Sequence, residues 1–183
     1  MIIIVETDGG MIFSFNDFLS AFEVDKQGEK DSARFKYNGS SIVDIIAESA
    51  DTLCFIEAKN FVNKSDDPTK QAAIDKAQAD SYADLSNAPN YAKGMIKKLE
   101  RALFVWLASG NPIDKPIAFI LAFNFGAQFD KNLKRILHDR LNEYIPNPRY
   151  NQLLNTASPV SVLFDIPDIA EANDYGFSIT VQS

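Results

Sequence analysis

Two carboxylates and a lysine sit inside runs that otherwise read as buried strands. Asp44 lies within the apolar run Ile42 to Glu48, and Glu57 and Lys59 lie at the end of Leu53 to Ala58 and just beyond it. Strand geometry puts Leu53, Phe55, Glu57 and Lys59 on one face and Cys54, Ile56 and Ala58 on the other. The turn-like Ser49-Ala50-Asp51 joins the two runs as a hairpin, and an antiparallel pair brings Asp44 near the Glu57 end of its partner. Burying ionised groups costs several kcal/mol each, as an order of magnitude, unless they are paired or bind a cation. A divalent metal ion suits such a pair.

Asp44, then twelve residues, then Glu57-Ala58-Lys59 resembles the active-site pattern of the PD-(D/E)XK nuclease superfamily. In that family an acid and an E-x-K triplet occupy adjacent strands. Val43 stands where the family name has proline. The resemblance implies a restriction-endonuclease-like α/β core, with a central mixed β-sheet flanked by helices, here extended by an N-terminal hairpin and C-terminal strands. It implies Mg²⁺ or Mn²⁺ held by Asp44, Glu57 and the main-chain carbonyl of Ala58, with Asp44, Glu57 and Lys59 as the catalytic set. It also implies an acid from an N-terminal helix, for which Glu23 is the candidate, and a Gln-x-x-x-Tyr motif on the following helix, matched by Gln78 and Tyr82. The implied activity is hydrolysis of nucleic-acid phosphodiesters, DNA being favoured. The competing reading of the residues is an ion pair between Glu57 and Lys59 at a strand end, with Asp44 on a solvated face. A separate alternative is a catalytically inactive module of the same fold, acting in nucleic-acid binding or protein assembly.

The remaining elements follow from periodicity. Ile2 to Val5 and Met11 to Phe15 flank Asp8-Gly9-Gly10 and predict an opening hairpin. Phe18, Leu19 and Phe22 fall at helical spacing and predict a helix from Asn16 to about Lys26, carrying Glu23. Ala33 to Tyr37 reads as a short strand with a turn at Asn38-Gly39. Asp67 or Thr69 can cap a helix from Pro68 to Leu85. A second helix from Tyr91 to Ser109 buries Ile96, Leu99, Leu103 and Trp106, and its opposite face gathers Lys93, Lys97, Lys98 and Arg101. Those four are candidate phosphate contacts, or a solvated helix face. Pro116 to Phe123 is continuous enough in apolar residues for a strand covered on both sides. Phe129 to Ile145 reads as a helix, and Val160 to Ile166 and Phe177 to Val181 as late strands.

A chain of 183 residues, 46% hydrophobic and 23% charged, fits one globular domain spanning residues 1–183. The net charge of -7 argues against coating nucleic acid by bulk electrostatics, yet a metal-dependent enzyme tolerates it, because bound cations offset clustered acids. One cysteine excludes an internal disulfide framework and fits a reducing cytoplasm. The opening Met-Ile-Ile-Ile-Val is too short for a membrane span and reads as a strand. His138, alone of its kind, supports neither a histidine metal site nor a Ser-His-Asp triad. The expected partners are nucleic acid, with a protein partner or a second copy of the chain also open, and no membrane.

Overall fold

The computed structural model describes residues 2–7, 10–24, 42–60, 65–124, 135–136, 139, 162–165 and 176–181. They form an α/β arrangement of two sheets and two helices. Strands β3 (Phe18–Glu23), β4 (Ile45–Ser49), β5 (Leu53–Asn60), β6 (Ile117–Asn124) and β7 (Val162–Asp165) make a mixed sheet in the order 3-4-5-6-7. The β3–β4 and β4–β5 pairs are antiparallel, and β5–β6 and β6–β7 are parallel. The predicted opening hairpin is present as β1 (Ile2–Glu6) and β2 (Met11–Asn16), and it pairs with β8 (Phe177–Val181) in a separate antiparallel sheet.

The alternation of β5 divides the core in two. Leu53 and Phe55 point toward helix α2 (Ala88–Ala108) and pack with its Ala92, Met95, Leu99, Ala102, Leu103 and Trp106. Cys54 and Ile56 point the other way, onto Phe13, Phe15, Phe177 and Ile179 of the small sheet. Strand β6 is buried from Ile117 to Phe123 because both of its faces are covered, which explains its unbroken apolar sequence. The expected core is a mixed sheet flanked by helices. Among the described residues a helical layer covers one face, and the three-stranded sheet covers the other.

Helix α1 (Pro68–Ser86) begins where Asp67 accepts hydrogen bonds from the Thr69 and Lys70 backbone N–H groups at 2.8 and 3.3 Å, with Pro68 at the first helical position. It packs against α2. At the far end of α2, Gly110 adopts φ 81°, the left-handed conformation that closes many helices, and Trp106 Nε1 donates to the Pro112 carbonyl at 2.9 Å.

The segment predicted as the first helix is instead strand β3. Asp17, at φ 58°, turns the chain directly from β2 into β3, and a register irregularity falls between Phe18 and Ser20. That irregularity reverses the alternation. Phe18 and Ala21 consequently share the small-sheet side, while Phe22 faces α2 and stacks on Trp106 at 6.5 Å. One extra residue there replaces a period of two with a step of three. The predicted strand Ala33 to Tyr37 lies outside the described residues. So does most of the predicted helix Phe129 to Ile145, His138 included; Arg135, Ile136 and Asp139 are helical, with Arg135 paired to Asp139 at 3.5 Å.

Candidate active site

Backbone register places the acids. Ile45 and Ile56 form the last β4–β5 pair; Asp44 lies just before it and Glu57 just after it, close enough for the charge of Glu57 to act on Asp44. The backbone N–H of Asp44 still donates to the Ile56 carbonyl at 3.0 Å, and its carbonyl accepts from Val24 N–H at 2.8 Å. Past this point β4 offers no backbone partner, and the carboxylate takes over: Asp44 Oδ2 accepts from the Ala58 N–H at 2.7 Å. A strand residue's N–H and C=O leave along the same edge, so the Ala58 carbonyl faces this side as well.

Glu57 is 1% exposed. Its Oε1 lies 2.5 Å from Lys98 Nζ, a cation delivered by α2 from the facing layer. Lys59 follows on the same strand face, in register with Phe123, whose ring meets that of Tyr91 edge-on at 6.3 Å. The environment acts strongly on Asp44. Burial, and after it the charge of Glu57, push its carboxyl from 3.8 up to about 8, against the opposing pull of Lys98, the Ala58 N–H and Lys59.

No protein-family model matches the chain, and neither does any curated protein or solved structure. The chemistry of the site therefore rests on its own geometry.

Glu57 and Lys59 share one face at the carboxyl end of β5, with Asp44 held beside them by the Ala58 N–H, next to the carboxyl end of the parallel strand β6, the end at which open α/β sheets hold ligands. Glu23 does not join them. It sits on β3 opposite Ile45, and a side chain in register with Ile45 projects on the small-sheet side, away from Asp44. Among the described residues no group of three or more His, Cys, Asp or Glu side chains gathers. What gathers instead is two carboxylates and a main-chain carbonyl, an all-oxygen set of the kind that hard divalent ions take, with water completing the shell. By the chemistry of its donors such a set would suit Mg²⁺ or Mn²⁺.

The four-residue basic face divides. Lys93, Lys97 and Arg101 are exposed along α2, as expected. Lys98 was grouped with them, but it turns inward and its side chain is only 15% exposed. Beside Leu99, Leu103 and Trp106 the buried stripe includes Met95 and Ala102, which carry it round toward Lys98 and leave Ile96 at its margin. Met95 and Ala102 are the signal in the sequence that reveals this. Gln78 and Tyr82 lie on α1, and their side chains fall outside the described set. Cys54 is buried, which pushes its thiol up to about 12 and makes it a packing residue with no nucleophilic role.

Proposed function

We propose that this chain is a Mg²⁺- or Mn²⁺-dependent nuclease of the restriction-endonuclease-like type, acting on DNA in preference to RNA in a reducing cytoplasm. The reading rests on one observation: Asp44 and Glu57 lie on either side of the last β4–β5 pair, close enough to interact, with Lys59 on the strand face of Glu57. Asp44, Glu57 and the Ala58 carbonyl would hold the cation, which when bound supplies Lewis-acid activation of water and of a phosphoryl oxygen. Lys59 carries a fixed positive charge to the position where the nucleophile is oriented and charge develops on the phosphate. The Ala58 N–H holds the Asp44 carboxylate against β5 at 2.7 Å. Apolar side chains pack on both faces of β5 and keep most of the strand out of water. Lys93, Lys97 and Arg101 present exposed charge to a polyanionic backbone along the covering helix. Incubation with single- and double-stranded DNA and RNA in Mg²⁺ or Mn²⁺ tests the reading. Cleavage by the wild type and none by Asp44→Ala is the expected result, and no cleavage of any substrate would overturn it.

A second reading is favoured by the ion pair itself. Lys98 already neutralises Glu57 without a metal, as it would in a module that kept this sheet and lost its chemistry. Such a module binds no divalent cation at Asp44, so a magnesium titration separates the two. Among the described residues no helix is long and apolar enough to cross a membrane.

A further inference from the structure

Lys98 is the charged group of this site that the nuclease chemistry leaves without a role. It stands apart from its helical neighbours: Lys93, Lys97 and Arg101 are exposed, whereas Lys98 extends inward to a carboxylate that is itself 1% exposed. Its ammonium lies 2.5 Å from Glu57 Oε1. Glu57 is also a ligand of the proposed cation. An ammonium and a divalent ion on one carboxylate repel each other strongly where water is scarce, so one excludes the other. The lysine has somewhere to go. Its four-carbon stem is flexible, and it sits at the boundary between the buried stripe of α2 and the exposed cations Lys97 and Arg101. An ammonium leaving Glu57 therefore swings toward the open face, where a nucleic-acid backbone would lie.

We propose that Lys98 exchanges anions: it holds Glu57 in the metal-free protein, yields that carboxylate to the divalent cation, and then pairs with a phosphate of the substrate backbone. This rests on the nuclease reading and adds a positioning residue to it. The exchange spares the metal-free protein an uncompensated buried carboxylate. It also couples loading of the cation to the appearance of a substrate contact.

The two halves carry opposite signs, which a purely structural role does not produce. Lys98→Met keeps most of the side-chain volume and removes the charge. Its Mn²⁺ dissociation constant, measured calorimetrically, should fall by about tenfold or more, because the competitor is gone. Its affinity for a short DNA duplex at saturating Ca²⁺ should fall as well, while the wild type binds both. Lys98→Arg keeps the charge and adds a two-pronged grip on the carboxylate, so it should bind Mn²⁺ more weakly than the wild type; it serves alone should Lys98→Met fail to fold. Unchanged or weaker Mn²⁺ binding by Lys98→Met, or unchanged or tighter binding by Lys98→Arg, overturns the exchange and leaves the nuclease reading standing. Unchanged duplex affinity in Lys98→Met overturns the phosphate contact. Absence of Mn²⁺ binding from the wild type and both variants overturns the exchange and the nuclease reading together.

Discussion

Asp44 is the residue on which the electrostatics of the site converge. Its folded-state value of about 8 lies above the ordinary 3.8, so the metal-free folded protein holds a proton that the unfolded chain has released across that interval. The folded state binds more protons there, and its stability falls as pH rises. The contribution is fully present below about pH 4 and is lost as pH rises through about 8, with a slope of at most about 1.4 kcal/mol per pH unit. Asp44→Asn should flatten this dependence, as seen in denaturant unfolding between pH 4 and 9 in EDTA. An equal slope in both proteins would mean that Asp44 is not the group responsible. Lys59 makes a different prediction, because it acts on the nucleophile and the transition state more than on the cation. Lys59→Ala should bind metal and substrate nearly as the wild type does while losing cleavage by about a hundredfold or more in single-turnover assays. Full-speed cleavage by that variant would remove Lys59 from the mechanism.

Helix α2 does two things along its length. Its buried stripe fixes the sheet through Leu99 and Trp106, and the same helix brings Lys98 to Glu57. Gly94 lies one turn before Lys98 in the helix interior, exposed, and a Cβ added there meets nothing within 4 Å. No packing reason requires a glycine at that point. Gly94→Ala should therefore stabilise the fold by about 0.5–1 kcal/mol through helix propensity, read as a higher denaturant midpoint with an unchanged m-value. Destabilisation would show that the helix is bent or crowded there. The exposed row on the same helix carries its own expectation. Neutralising Lys93, Lys97 and Arg101 together should weaken DNA binding and reduce the slope of log affinity against log salt. An unchanged slope would make them solvated surface charges.

For the molecule as a whole, a cation that binds the folded state alone raises stability by mass action. At a hundredfold excess over its dissociation constant, Mg²⁺ or Mn²⁺ should add about 2.7 kcal/mol. For a chain of this size that is an increase in melting temperature of about 5–10 °C. Asp44→Ala should abolish the increase. Metal-independent melting of the wild type would favour the module that binds no cation. The gain requires all three layers to be in place, because the acids are set on strands whose opposite faces pack on α2 and on the small sheet.

Strand β5 was legible in the sequence because a short apolar run bounded by turn residues needs apolar partners on both faces; β6 was legible from its unbroken apolar run, the helix from Pro68 by its Asp67-Pro68 start, and the helix from Ala88 by its apolar stripe. The proximity of Asp44 to Glu57 was legible too, since a short turn between two apolar runs leaves few registers that bury both. Three features belonged to the tertiary structure. Strand β3 reads as a helix because Phe18, Leu19 and Phe22 fall at helical spacing, whereas the irregularity at Phe18–Ser20 sends Phe18 and Phe22 to opposite faces of a strand, which no local pattern shows. Its parity then carried Glu23 to the far face, which no count along the chain reveals. The third is Lys98. Which side of α2 faces the sheet depends on how closely the backbones approach, and Ala92 and Ala102 permit that approach only because a matching surface of β5 and β6 lies opposite. Composition could show that buried acids needed a cation, and packing decided that in the metal-free protein the cation at Glu57 is a lysine 41 residues away.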